Sequence, residues 1–139
     1  MMMGCDIHIV LEAKFPGDSD WVGVVAYDRL PGGRPRFGQR DYGLFQRFGV
    51  RGYREGVTTI YPRNLPRDVS PLAWKMYMCC PTDYHSASHC TLREFADAWL
   101  AENPTDETVR AEHAIYDLFG VWDAEEGEPD YRLVFWFDN

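Results

Sequence analysis

With 139 residues the chain has room to bury one core but not two, so a single domain over residues 1–139 is the expectation. Its 45% hydrophobic and 15% aromatic content is that of a packed globule and excludes a disordered chain. A net charge of −8 argues against general binding to a nucleic-acid backbone. Nothing approaches the ~20 apolar residues of a membrane helix or the layout of a secretory signal, so the reading is a soluble cytoplasmic protein with reduced cysteines.

The charge is unevenly spread. Nine arginines fall between Arg29 and Arg67 against only Asp41 and Glu55, whereas thirteen acidic residues fall between Glu94 and Asp138 against Arg110 and Arg132. Either the two regions face each other, or some of the arginines converge on phosphate, for which the planar guanidinium fork is suited.

In chain order, Cys5 to Ala13 alternates as a strand does, with Cys5, Ile7, Ile9 and Leu11 on one face and Asp6, His8, Val10 and Glu12 on the other. The turn cluster Pro16 to Asp20 leads into the valine-rich Trp21 to Tyr27, which predicts a hairpin. After a Pro/Gly-rich loop, Asp41 caps a predicted short helix carrying Leu44, Phe45 and Phe48, with Gly49 as its stop. Residues 51–71 read mainly as loop, with Val57 to Tyr61 as a possible short strand.

Thr91 and Glu94 have capping-box spacing ahead of the stripe Leu92, Phe95, Ala96, Trp99 and Leu100, which predicts a helix ending at Asn103-Pro104. A second helix is expected from about Thr105 to Phe119, with Ala111, Ala114, Ile115, Leu118 and Phe119 inward and Gly120 at its end. An acidic loop, Asp123 to Asp130, precedes a closing strand from Tyr131 to Phe137. The fold class is therefore α+β: a small antiparallel sheet containing both terminal strands, packed with a helical hairpin and a long Arg/Pro-rich loop region.

Two places carry candidate chemistry. Asp6 and His8 share a strand face, and Asp138 joins them if the terminal strands are neighbours; carboxylates with an imidazole suit a divalent metal ion. The stretch from Cys79 to Cys90 holds three cysteines and two histidines but lacks the paired C-x-x-C spacing of a structural zinc site. Read as a loop entering a helix, it offers His85, Ser86 and Ser88 to an anion at the helix N-terminus. Phosphate-loop, nucleophile-elbow and zinc-deaminase motifs are all absent from the sequence.

The segments Gly4-Cys5-Asp6-Ile7-His8, Asp41-Tyr42-Gly43-Leu44-Phe45, Gly49-Val50-Arg51, Leu65 to Ser70, His85-Ser86-Ala87-Ser88, Thr91 to Glu94 and Val134 to Asn139 together resemble a family of small phage and prophage proteins that open with MGCDIH. The resemblance spans nearly the whole chain and implies no mechanism. It selects Asp6, His8, His85, Ser86, Ser88 and Asp138, and leaves Cys79, Cys80, His89 and Cys90 unsupported. The chain departs from the pattern in the insertion Leu30 to Gln39 and in two extra leading methionines.

Two functions follow as expectations. The first is a metal-dependent hydrolase acting on a phosphate-containing small molecule or nucleotide. Asp6, His8 and Asp138 hold the metal; Asp6, His8 and His85 are catalytic, with His85 as general acid or base; and Arg40, Tyr42, Arg51, Ser86 and Ser88 bind the ligand. The second is a non-catalytic, phage-type protein in the cytoplasm of a bacterial host that sequesters a nucleotide signal or inhibits a host defence protein. A purely structural interaction module is a third possibility, marked by an exposed aromatic patch.

Overall fold

The computed structural model describes residues 4–29, 41–103, 110–122 and 128–139. Four strands and four helices follow in the order β1 (Asp6–Lys14), β2 (Val22–Tyr27), α1 (Tyr42–Arg47), α2 (Pro71–Tyr77), β3 (Tyr84–Cys90), α3 (Leu92–Glu102), α4 (Ala111–Phe119) and β4 (Asp130–Asp138). The strands form one antiparallel sheet in the order β2-β1-β4-β3, an α+β fold with the first and last strands as its central pair. Among the described residues no helix is long and apolar enough to cross a membrane.

The odd-numbered residues of β1 and β4 build the larger core. Ile7, Ile9 and Leu11 stand opposite Phe137, Phe135 and Leu133, and α1, α3 and α4 cover them with Leu44, Phe45, Phe48, Phe95, Ile115 and Phe119. Aromatic edges interlock there, with Phe48 and Phe135 4.9 Å apart and Phe45 and Phe137 5.1 Å apart between ring centroids. Each such buried ring contributes roughly 1.5–3 kcal/mol of transfer free energy.

The opposite face is covered as well. Val10, Val134 and Trp136 are buried under Ala73 of α2, with Leu65, Val69, Met76 and Tyr77 around them. Helix α2 was not anticipated from the sequence, yet its start is conventional: Ser70 accepts from Ala73 N–H, and Pro71 takes the first helical position, where no hydrogen bond from its nitrogen is needed. Gly23 lets α2 approach β2, because a Cβ at that position would lie 2.5 Å from the Leu72 side chain.

Other elements keep to the sequence reading. Asp41 accepts from Leu44 N–H to cap α1, and Gly49 (φ 77°) follows in the left-handed conformation that ends it. Thr91 and Glu94 form the reciprocal capping box of α3, both bonds 3.0 Å long. The helical hairpin of α3 and α4 is present, though the expected start of α4 near Thr105 lies outside the described residues, as do residues 123–127 of the acidic loop read from Asp123 to Asp130.

Two expectations are corrected. Val57 to Tyr61 is not a strand: Ile60 N–H donates to Arg47 O at 2.7 Å, pinning the segment to the end of α1 instead of to the sheet. Residues 84–90, read as a loop, form the edge strand β3. Its polar composition hid the strand, because only Ser88 and Cys90 are buried there and the apolar neighbours come from β4.

Candidate functional site

Central pairing of β1 with β4 brings the two ends of the described chain together. Asp6 stands directly opposite Asp138, and His8 opposite Trp136, so the two carboxylates and the imidazole share one face of the sheet. His8 Nε2 is hydrogen-bonded to Asp138 Oδ2, and its Nδ1 lies 3.3 Å from Asp28 Oδ1, just beyond β2. A neutral imidazole donates from one nitrogen only, so both carboxylates are served as acceptors only when both nitrogens carry hydrogen.

Aromatic rings fix the His8 plane. It stacks on Trp136 at 6.2 Å and 18°, and meets Tyr84 of β3 at 5.2 Å. Tyr84 is itself the register partner of Asp138, and burial pushes its hydroxyl above the usual tyrosine range, assisted by the negative potential of Cys80, Cys79, Asp138 and Asp28. Beside them Trp136 Nε1 is buried without a hydrogen-bond partner.

The sequence candidates divide into two groups. Asp6, His8 and Asp138 share one face of the central strand pair, with His8 bonded to Asp138. His85 lies at the same end of the sheet but on the other face: it is the partner of Phe137, stacks on that ring at 6.2 Å, and bonds Ser86 Oγ (2.9 Å) and Asn139 Oδ1 (3.1 Å). Tyr42 also lies at this end, its hydroxyl accepting from Cys5 N–H at 3.4 Å, and the Arg51 guanidinium covers the Tyr42 ring at 4.5 Å. Arg40 lies outside the described residues.

The proposed anion site at the start of α3 is not formed. Ser88 is buried, and its Oγ accepts from Arg63 N–H at 3.1 Å. The first turn of α3 is served by its own capping box, and Glu94 already carries negative charge to that end. Ser86 sits at a bulge between His85 and Ser88 with φ 56°, a conformation that non-glycine residues seldom adopt. The zinc ligand types are also dispersed: Cys90 is in the main core and His89 Nδ1 is bonded to Asn64 O.

Three arginines of the basic middle pair with two carboxylates of the acidic end. Arg54 grips Glu102 through two bonds of 2.7 and 2.8 Å, with Arg47 adding a third of 2.9 Å; Arg63 grips Glu94 through bonds of 2.7 and 2.9 Å. The Arg54 guanidinium holds the Glu102 carboxyl down to about 2, and Arg63 does the same for Glu94. A cleft of about 370 Å³ lies beside these pairs, lined by Arg47, Thr58, Ile60, Glu94, Asp97 and Ala98 among others, and does not include the His8 cluster.

Sequence reasoning missed Asp28. The signal was present in the hairpin: Tyr27 pairs with Ile9, so the next residue falls beside His8. Among the described residues no three His, Cys, Asp or Glu side chains are arranged to hold a metal ion. What is present is a carboxylate pair with both His8 nitrogens engaged.

No protein-family model matches the chain, nor does any curated protein or solved structure.

Proposed function

We propose that the protein hydrolyses a phosphate-containing small molecule or nucleotide at the His8 end of the sheet. The reading is carried by the pairing of Asp6 with Asp138 on one face, with His8 bonded to Asp138. Asp6 and Asp138 would hold a divalent cation together with the substrate phosphates, and that cation supplies charge neutralisation to the phosphate.

The residues of the chain divide the remaining work. His8 is the general acid or base, oriented through Nε2 by Asp138 and by stacking on Trp136, with Nδ1 presented to the substrate in place of the exposed Asp28 carboxylate. This role passes to His8 from His85, which belongs to the opposite face. Arg51, braced on Tyr42, is the described arginine of the basic block proposed to contact phosphate.

The test is release of inorganic phosphate from a panel of nucleoside and sugar phosphates with Mg²⁺ or Mn²⁺. Activity should fall about a hundredfold or more in His8→Gln and in Asp138→Asn while circular dichroism is unchanged. Unaltered turnover in both variants removes the site from the chemistry.

A second reading is favoured by Tyr53 and Tyr61, which are 73% and 63% exposed within the arginine-rich loop and are suited to stacking on a base. On that reading the chain captures a nucleotide signal without altering it. A nucleotide that raises the melting temperature and is recovered intact favours capture over hydrolysis.

A further inference from the structure

The turn joining α2 to β3 carries two adjacent cysteines. Cys79 is exposed and Cys80 half-buried, and Cys80 Sγ–H points at Cys79 Sγ across 3.7 Å. The other two cysteines, Cys5 and Cys90, are buried in the main core. The chain therefore holds one accessible dithiol and two shielded thiols.

The turn is anchored on both sides. Cys79 N–H donates to Met76 O at the end of α2, and Asp83 N–H donates to Cys80 O just ahead of β3. The rings flanking it, Tyr77 and Tyr84, pack 5.8 Å apart, and Tyr84 in turn meets His8. The sulfurs are thus held near each other in a short solvent-facing turn next to the candidate site, independently of what that site does.

We propose that Cys79 and Cys80 are a reversible oxidation site, converted to a vicinal disulfide by exchange with a low-molecular-weight disulfide. The more exposed Cys79, as thiolate, attacks one sulfur of the oxidant, forming a mixed disulfide and releasing one thiolate. Cys80 then attacks Cys79 Sγ, the sulfur it already faces, closing the internal bond and releasing the second thiolate. Two protein thiols lose two electrons, the oxidant's S–S bond gains them, and the two protons end on the released thiols.

Ring closure is constrained. Adjacent Cα atoms lie about 3.8 Å apart across a trans peptide, below the separation usual for disulfides, so the bond is strained and readily reduced. Strained, exposed disulfides are the labile kind suited to regulation and not to structural support. Burial pushes the Cys90 thiol far above the usual range, which keeps it out of the exchange.

The test uses the full chain incubated with excess glutathione disulfide and read by intact mass and peptide mapping. The native protein should lose the mass of two hydrogens, with the new bond mapped to Cys79 and Cys80, and dithiothreitol should restore it. Cys79→Ser and Cys80→Ser, both at accessible turn positions, should each retain one glutathione and show no loss of hydrogens. Stable glutathione adducts on the native chain, a bond between two chains, or no reaction would overturn the proposal.

Discussion

Asp6 and Asp138 are register partners on the two central strands, which places like charges directly opposite each other on one face of the sheet. On the proposed reading the two carboxylates share a divalent cation. Adding Mg²⁺ or Mn²⁺ to the native chain should therefore raise its melting temperature. At about a hundred times the Kd, a cation bound only by the folded state stabilises by about 2.7 kcal/mol. Asp6→Asn should abolish that response in differential scanning fluorimetry; an equal rise in the variant takes the cation away from this pair.

A second test concerns Glu12, which is wholly buried on the α2 side of β1. Its carboxylate accepts from Arg132 Nε at 2.6 Å and from Ser70 N–H at 2.7 Å; Arg132 also reaches Asp68 at 2.8 Å and stacks on Trp21 at 4.1 Å. One side chain thereby ties β1, β4 and the start of α2 together. Glu12→Ala leaves Arg132 without its buried partner and should cost about 3–5 kcal/mol in urea unfolding. In a double-mutant cycle the Glu12→Ala/Arg132→Met variant should lose less than the sum of the two single losses; strict additivity counts against the coupling.

Close contact of α2 with the sheet gives a third test. Gly23→Ala places a methyl group against Leu72 Cβ and Cδ2 and should destabilise by about 1–3 kcal/mol through overpacking. In a Leu72→Gly background, which removes both Cβ and Cδ2, most of that loss should disappear. If it persists unchanged, the glycine is needed for some reason other than the approach of α2.

How much of this was legible depended on where each residue's partners lie. Alternation in β1 and β4 and the capping residues Asp41, Thr91 and Glu94 are local signals, and the elements they mark are present. The shared face of Asp6 and His8 was legible from the same alternation, and Asp138 was expected there on the condition that the terminal strands are neighbours, which they are. Strand β3 was not, since Tyr-His-Ser-Ala-Ser-His-Cys carries little apolar pattern and depends on pairing with β4. The burial of Glu12 was not legible, because α2 and Arg132, which bury and neutralise it, lie far away in sequence. That the arginine block faces the acidic end was one of the two readings of the charge pattern; which partners meet, Arg47 and Arg54 with Glu102 and Arg63 with Glu94, charge counts alone do not show.

Those same pairs set an acid limit on the fold. Arg54, with Arg47, depresses the Glu102 carboxyl to about 2 from an ordinary value of 4.5, and Arg63 depresses Glu94 likewise. A carboxyl whose folded pKa is lowered stabilises fully above its unfolded pKa, and the contribution fades as the pH falls toward the folded value. The relevant window therefore runs from about 4.5 down to about 2. Glu102→Gln should lower the urea midpoint near neutral pH, and the gap from the native chain should narrow steadily as the pH falls from about 5 to about 2.5. Near neutral pH the substitution removes the shared partner of two arginines, Arg47 being largely buried, so its effect should exceed that of an exposed surface pair, about 0–1 kcal/mol. A gap that stays constant across this range means that the Arg47–Glu102–Arg54 cluster does not contribute to the acid sensitivity of the fold.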